Sequence, residues 1–254
     1  EKTLQQCIGK ERKKYFCVST DKAANPANMM GASKKIMEMF VAKASEDINV
    51  SMARFANVAF SDGSLLYSFK QRIEKRQPIV APNDVKRYFV TPEESGLICL
   101  FSCLLGSNGD IFFPKLNEDI HLSTFSLIAE LYLKERGFKV KQCSTEDEAR
   151  ALISSLPSKG YWPCLFTHSN TTGEKDVEEF FTDEEQLDMT LFDSLGVIKD
   201  SLEYDVKKLS EFTRKIDLLL KSQCWTKDQI LALFFTLLPE FAHQETGKYL
   251  ESKM

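Results

Sequence analysis

The chain has 254 residues, which is enough for one large domain or two smaller ones with a full core. Its 33 basic and 37 acidic residues give a net charge of -4, which offers no basis for binding nucleic acid or an anionic membrane. The seven cysteines form no CxxC pair and no apolar run is long enough to cross a membrane. We therefore predict a cytoplasmic protein with no metal site and no transmembrane segment.

The first predicted element is a short strand over residues 15–18, rich in aromatic and β-branched side chains and followed by polar residues. Asp21 and Lys22 then lie at the carboxyl edge of a sheet, where open α/β sheets bind their ligands. After an Asn-Pro turn, a helix runs from Gly31 to about Glu46 and carries Lys34 in its first turn. This segment is the most informative part of the chain.

Strands and helices alternate through the next hundred residues, which indicates an α/β fold. The predicted strands cover Val50–Val58, Asp110–Pro114 and Phe138–Cys143. The predicted helices cover Leu65–Lys75, Pro92–Leu105, Ser123–Gly137 and residues 146–156, two of them opened by capping boxes at Thr91 and Thr145. The Pro92 helix is apolar nearly all round, so we expect it to be buried.

The last third of the chain is different in kind. Residues 158–195 show a weak pattern, typical of a loop or an irregular edge strand. Ser201–Ser222 and Thr226–Ser252 both show helical periodicity with an apolar stripe. Such stripes dock on a core or form a subunit interface, and docking is the favoured interpretation. We predict two parts, residues 1–157 and a mainly helical extension over residues 158–254.

No GxGxxG or GxxxxGK turn occurs in the sequence, so the usual phosphate-binding turn of a dinucleotide site is missing. Residues 1–14 resemble the end of a helix that feeds straight into the first strand. We expect the first βαβ units of the domain to lie upstream of this chain.

Three segments carry a family resemblance: VSTDKAANPANMMGASKK, ARFANVAFSDGSLLYSFKQRI and DVKRYFVTPEES. In order and spacing they resemble the nucleotide-sugar 4,6-dehydratases of the extended short-chain dehydrogenase/reductase family, in particular UDP-N-acetylglucosamine 4,6-dehydratases of bacterial polysaccharide biosynthesis. The likeness covers about Phe16 to Leu116. It implies the C-terminal part of a Rossmann-type domain, a small substrate-binding subdomain and a C-terminal helical extension. It also implies a UDP-sugar substrate and bound NADP, or NAD, and we expect a homo-oligomer.

The resemblance implies a hydride taken from C4 of the sugar, loss of water across C5 and C6, and return of the hydride to C6. These steps need an acid for the departing C6 hydroxyl and a base for the C5 proton. Asp21 and Lys22 match the family's catalytic aspartate and lysine, and Thr20 matches a hydroxyl that holds the O4 region of the sugar. Lys34 matches the lysine that hydrogen-bonds the cofactor ribose, and Ser19 and Phe55 are assigned to the cofactor as well.

Met30 departs from the pattern. The family usually has a tyrosine at this position, four residues before the lysine, and that tyrosine deprotonates the C4 hydroxyl. A thioether is only a weak acceptor and cannot do this. Either the chain is an inactive relative, or it belongs to a branch with methionine here, in which Asp21, Lys22 or a water takes the proton. The retained Asp21-Lys22 pair favours the second interpretation.

The substrate-binding residues implied by the resemblance are Asn57, Arg87, Arg54 and Ser64, of which the arginines would meet the nucleotide diphosphate bidentately. For Arg54 a structural ion pair is an equally good interpretation. Two other functions stay open: a nucleotide-sugar epimerase, which shares the scaffold and the first oxidation but relies on the absent tyrosine, and a noncatalytic oligomerisation or binding module.

Overall fold

The computed structural model of the protein describes residues 13–115, 122–171, 173–199 and 204–243. These residues divide into two compact units. The first contains residues 13–55, 95–115, 179–199 and 204–243, and the second contains residues 56–94, 122–171 and 173–178. The chain therefore passes from one unit to the other several times.

Strands and helices alternate along most of the chain. The strands are β1 (Lys14–Thr20), β2 (Asn49–Phe55), β3 (Asn57–Val58), β4 (Ile79–Pro82), β5 (Lys86–Val90), β6 (Asp110–Pro114), β7 (Leu122–Thr124), β8 (Lys139–Gln142), β9 (Tyr161–Thr167), β10 (Gln186–Asp188) and β11 (Leu195–Lys199). The helices are α1 (Met29–Ala44), α2 (Leu65–Glu74), α3 (Pro92–Leu105), α4 (Phe125–Glu135), α5 (Glu146–Leu152), α6 (Val206–Ser222) and α7 (Lys227–Leu237). Short 3-10 turns cover Asp21–Ala23 and Pro157–Lys159.

A five-stranded sheet in the order β1-β2-β6-β11-β10 forms the centre of the first unit. β1, β2 and β6 are parallel, whereas β11 and β10 are antiparallel to their neighbours. Helix α1 connects the parallel strands β1 and β2, which makes a βαβ unit. In the register of β1 and β2, Thr20 lies opposite Phe55, so the carboxyl ends of the two strands lie side by side.

The two C-terminal helices pack on the helix of this βαβ unit. Apolar side chains of α1, α6, α7 and the residues after α7 share one buried cluster: Ala32, Ile36, Met39, Leu209, Phe234, Leu237, Leu238 and Phe241. Helix α7 opens with a full capping box, in which Thr226 and Gln229 bond each other's backbone. The predicted docking is confirmed for Leu209 of the first apolar stripe and for Phe234, Leu237 and Leu238 of the second, while Leu220 of the first stripe stays exposed.

The second unit has two three-stranded sheets, one of parallel strands in the order β4-β9-β8 and one in the order β3-β5-β7. Its core joins α2 and α4 to the first of these sheets through Leu66, Phe69, Ile79, Ala81, Ala129, Leu133, Trp162 and Cys164. Among the described residues of both units, no helix combines the length and the apolar character that a membrane crossing needs.

The predicted α/β architecture is confirmed, and three local predictions need correction. The strand expected over Val50–Val58 is two strands in different sheets, β2 and β3. Helix α3 buries Ile98 and Ser102 but exposes Leu97, Leu100, Phe101, Leu104 and Leu105, so the expectation of a buried helix is wrong for this chain. Residues from 158 onward contain β9, β10 and β11, and among the described residues of this part the first α-helix begins at Val206.

The two compact units do not follow the predicted division after residue 157. β9 pairs with β4 and β8 in the second unit, and β11 pairs with β6 in the first. Residues 1–12 and 244–254, which include the expected helix end before the first strand and the end of the last predicted helix, lie outside the described residues.

Candidate functional site

The carboxyl end of β1 carries three polar residues in a compact arrangement. Thr20 caps the 3-10 turn that follows, and its hydroxyl donates to Asp21 Oδ1 at 2.8 Å. The same Oδ1 atom accepts from the Lys22 backbone N–H and from Lys22 Nζ, both at 2.9 Å. Asp21 is 2% exposed, and the Lys22 side chain is 16% exposed. The structure thus places the predicted acid and base in direct contact at a strand end.

The second carboxylate oxygen of Asp21 has a different environment. None of the described residues donates a hydrogen bond to Oδ2, whereas Oδ1 accepts three. Of the three N–H groups of the Lys22 ammonium, one is used by Asp21. An oxygen and two N–H donors therefore remain at this strand end for a ligand.

Helix α1 begins close to this strand end. Asn28 caps the helix by accepting from the Gly31 N–H at 2.9 Å. A Cβ atom at Gly31 would lie 2.4 Å from the Lys22 carbonyl oxygen, so only glycine fits without a shift of the backbone. This contact holds the Asp21–Ala23 turn against the first turn of α1.

The first turns of α1 carry the other two residues predicted to act in catalysis. Lys34 Nζ donates to the Val18 carbonyl oxygen at 3.2 Å, next to the polar end of β1. Met30 is 48% exposed, so its thioether is accessible rather than part of the core. Burial raises the pKa of the nearby Cys17 thiol, which the Tyr15 hydrogen bond and the charge of Lys34 offset only in part. The structure brings Thr20, Lys22 and Lys34 to one end of β1.

A buried ion-pair network lies beneath this end of the sheet. Arg54 of β2 is fully buried and bonds the carboxylates of Glu38 on α1 and Glu185 before β10, at 2.7 to 2.9 Å. It also donates to the Phe180 carbonyl oxygen at 2.8 Å. The Ser19 hydroxyl donates to Glu38 at 2.6 Å. The network joins β1, β2, α1 and residues 180–185.

Every donor of Arg54 is used within this network, since an arginine side chain has five N–H groups and the structure assigns a partner to each. Burial lowers the pKa of Arg54, but the charge and hydrogen bonds of Glu38 and Glu185 outweigh it, so the pKa is raised overall. For Glu185 burial raises the pKa, and the bonds and charge of Arg54 lower it by more. Of the two interpretations left open for Arg54, the contacts favour the structural ion pair.

Arg87 lies on β5 in the second unit and is 3% exposed. Its Nη1 donates to the carbonyl oxygens of Lys86 at 2.8 Å and Lys175 at 2.9 Å, and its Nη2 bonds the Glu174 carboxylate. A carboxylate oxygen of Glu178 lies 3.7 Å from Arg87 Nη2. These contacts hold the Arg87 guanidinium within the second unit, and its predicted role in binding a diphosphate stays a prediction.

The remaining predicted residues have modest contacts. Asn57 donates to the Tyr88 carbonyl oxygen at 3.4 Å, and Ser64 caps α2 by accepting from the Tyr67 N–H at 3.1 Å. Both belong to the second unit. Phe55 is half-buried at the end of β2, beside Thr20. Their assignments to substrate and cofactor also stay predictions.

Sequence reasoning missed three residues of this region: Gly31, Glu38 and Glu185. Gly31 had a usable signal, because a glycine inside the first turn of a predicted helix marks a close backbone approach. Glu38 and Glu185 had none, since they lie 16 and 131 residues from Arg54 in sequence.

The parallel βαβ unit, with its polar strand end and a lysine on the connecting helix, defines a Rossmann-type α/β protein. The solved X-ray structure of Pen from Bacillus thuringiensis supports this fold, with a TM-score of 0.60 at 18% identity over 88% of this chain and 66% of that one. The chain belongs to the polysaccharide biosynthesis protein family, whose sequence profile matches residues 1–200.

Individual relatives are more distant. An uncharacterized membrane protein of Methanocaldococcus jannaschii is 27% identical over 184 residues, which cover 70% of this chain and 54% of the relative. The UDP-N-acetylglucosamine 4,6-dehydratase (inverting) of Campylobacter jejuni is 29% identical over 123 residues, 46% of this chain and 37% of the enzyme. The UDP-glucose 4-epimerase of Rickettsia rickettsii is 31% identical over 121 residues, 45% of this chain and 36% of the enzyme. The chain spans about half, or less, of the length of these relatives.

Proposed function

We propose that the whole protein is a UDP-N-acetylglucosamine 4,6-dehydratase that makes a UDP-4-keto-6-deoxy sugar for bacterial polysaccharide biosynthesis. The observation that carries the proposal is the pair of Asp21 and Lys22, which lie 2.9 Å apart at the carboxyl end of a parallel strand. A carboxyl group and an amine side by side are the two groups that an elimination of water needs. The family of the chain and the dehydratase among its relatives are consistent with this chemistry.

In this proposal Lys22 takes the proton from C5 of the sugar, and the C6 hydroxyl leaves as water with a proton from Asp21. The Asp21 Oδ2 atom is the donor position, because Oδ1 is occupied by Thr20 and Lys22. The Thr20 hydroxyl donates to Asp21 and accepts weakly from the Lys22 N–H at 3.5 Å, and its remaining lone pair orients the O4 region of the sugar. Lys22 acts as the base in its neutral form and Asp21 as the acid in its protonated form, and this state differs from the ion pair by the transfer of one proton from Lys22 to Asp21.

A nicotinamide cofactor, NADP or NAD, would supply the acceptor and donor of the hydride. Lys34 fits a cofactor ribose, because its ammonium has three N–H groups and the Val18 carbonyl oxygen uses one of them. The Ser19 hydroxyl proton is committed to Glu38, so this residue can offer the cofactor only acceptor lone pairs. Phe55, half-buried beside Thr20, would provide an apolar contact for the nicotinamide ring.

The test is to incubate the full-length protein with NADP and UDP-N-acetylglucosamine and to follow the sugar by NMR. We expect a 4-keto-6-deoxy product. We expect Lys22→Ala to abolish dehydration, because general base catalysis contributes about 10²- to 10⁴-fold. Lys43→Ala, near the other end of α1, is the matched control and should leave the rate unchanged. Full activity in Lys22→Ala would remove Lys22 as the base.

A nucleotide-sugar epimerase is the second candidate, favoured by the relative with that name. Such an enzyme would change the configuration at C4 and keep the C6 hydroxyl, so the same NMR experiment separates the two products. The Asp21–Lys22 pair weighs against it, because inversion at C4 eliminates no water and would leave this acid and base without a role. No turnover of either kind would instead support the noncatalytic binding module.

A further inference from the structure

A second candidate site lies in the second unit, and its lining contains no residue that is assigned to the sugar or the cofactor. It is a groove of about 270 Å³ between the end of α2, the start of β4 and the helix α5. Three arginines and one glutamate line it: Arg72, Arg76, Arg150 and Glu146. Its apolar lining includes Pro78, Val80 and Leu165.

The charges of this groove are not balanced. Three guanidinium groups face one carboxylate, and the Arg150–Glu146 pair is long at 3.4 Å, with both side chains more than half exposed. Burial lowers the pKa of Arg72, the Arg150 charge lowers it further, and Glu146 offsets only part of this. A bound anion would relieve the repulsion between Arg72 and Arg150.

Arg76 adds an independent observation. Helix α2 ends in a Schellman motif, in which the Gln77 N–H bonds the Arg72 carbonyl at 2.7 Å and the Arg76 N–H bonds the Ile73 carbonyl at 3.1 Å. Arg76 has φ 50°, the left-handed conformation in which glycine is favoured. Its side chain makes no ion pair or hydrogen bond with the part of the chain that the structure describes. The fold therefore keeps a strained arginine with an unused guanidinium at the rim of the groove.

We propose that this groove binds a small organic phosphate. Arginine forks suit the planar, bidentate recognition of phosphate oxygens, and three arginines line this groove, of which Arg72 also donates to the Pro78 carbonyl oxygen at 3.1 Å. The apolar lining formed by Pro78, Val80 and Leu165 would hold a flat apolar group attached to it. The volume lies just below the roughly 300–1,000 Å³ typical of ligand pockets, which limits the ligand to a phosphate and about one ring.

The experiment is isothermal titration of the whole chain with phenyl phosphate, inorganic phosphate and phenol as probes. We expect saturable binding of phenyl phosphate, weaker binding of inorganic phosphate and none of phenol. Arg76→Gly should weaken phenyl phosphate binding about tenfold, which corresponds to about 1.4 kcal/mol. The same variant should unfold at a higher temperature, because glycine relieves the strain at this position. Lost binding in a better-folded protein cannot come from misfolding.

Two further variants test the proposal, one by an expected gain in affinity and one as a control in which the affinity should not change. Glu146→Gln removes the carboxylate that competes with the phosphate, so it should tighten binding. Arg214→Gln, on the exposed face of α6, removes an arginine paired with Glu211 and should leave binding unchanged. No saturable binding, or equal losses in Arg214→Gln and Arg76→Gly, would overturn the proposal. Binding that only Arg87→Gln removes would place the phosphate at the predicted substrate residues instead, and would likewise overturn it.

Discussion

The backbone of Gly31 rests directly against the backbone of Lys22. A Cβ atom at Gly31 would lie 2.4 Å from the Lys22 carbonyl oxygen, closer than side chains approach in folded proteins. Because Lys22 is bonded to Asp21 through both its N–H and its ammonium, this contact determines where the acid–base pair lies. The absence of a side chain at Gly31 is therefore a requirement of the candidate site.

We expect Gly31→Ala to push the Asp21–Ala23 turn away from α1. Overpacking of this kind costs about 1–3 kcal/mol of stability, and a displacement of about 1 Å at a reacting group can cost roughly 100-fold in rate. Urea unfolding of this chain and turnover by the full-length protein measure the two effects. Gly96→Ala in α3 is the matched control, because beyond the adjacent residues and the backbone of its own helix the new methyl group meets no described atom within 4 Å. It should stabilise the helix by about 0.5–1 kcal/mol. Equal behaviour of the two variants would contradict the packing argument.

Removing a partner of Arg54 should be far more costly than removing an exposed charge. Glu38→Gln leaves a fully buried guanidinium without the carboxylate that bonds it twice, at 2.9 and 2.8 Å. Breaking a buried ion pair from one side typically costs about 3–5 kcal/mol. Denaturant unfolding gives the value. Glu211→Gln breaks an exposed pair on α6 and should leave the midpoint unchanged. A loss in Glu38→Gln no larger than in this control would show that Arg54 finds other compensation.

The same network predicts how stability changes in acid. Arg54 holds the pKa of Glu185 below its usual value of 4.5, against the opposing effect of burial. A carboxylate with a lowered folded pKa contributes stability that is fully present above about pH 4.5. This stability is lost as the pH falls through the folded value. We therefore expect the free energy of unfolding to fall below about pH 4.5.

Glu185→Gln should be less stable than the natural sequence at pH 7, and its acid-induced loss should be shallower. Urea unfolding at pH 7, 5, 4 and 3.5 measures both. The neighbouring Glu184→Gln changes an exposed carboxylate and should keep the full acid slope. An unchanged slope in Glu185→Gln would mean that other carboxylates produce the acid loss.

Local sequence patterns were sufficient for the βαβ unit and for the strand end with its polar residues. The strand before Asp21 and the helix after Asn28 follow from β-branched content and capping, which act over a few residues. Local sequence patterns did not predict β9 as a central strand. Pro163 lies in its middle, and proline argues against a central strand, yet β9 pairs with β4 on one side and β8 on the other.

Long-range partners explain the other differences. The burial of Arg54 depends on Glu185, which no pattern near Arg54 could indicate. The apolar surface of α3 predicted burial, but burial needs a neighbouring surface, and the described residues cover only the side with Ile98 and Ser102. Thr20, Asp21 and Lys22 are adjacent in sequence, and so their contact was the most predictable part of the site.

Met30 gives the last prediction, because it tests how the reaction proceeds without a tyrosine. The side chain is 48% exposed and lies outside the buried cores of both units, so Met30→Leu should leave stability unchanged within about 0.5 kcal/mol. A thioether takes no proton, so Met30→Leu should cost the full-length protein far less than the roughly 100-fold or more attributed to a general base. Asp21→Asn should show that larger loss, because it removes an acid from the candidate site. The comparison is between the steady-state rates of the two variants, measured as formation of the 4-keto-6-deoxy product. A loss in Met30→Leu as large as in Asp21→Asn would assign the thioether a role that proton transfer does not explain.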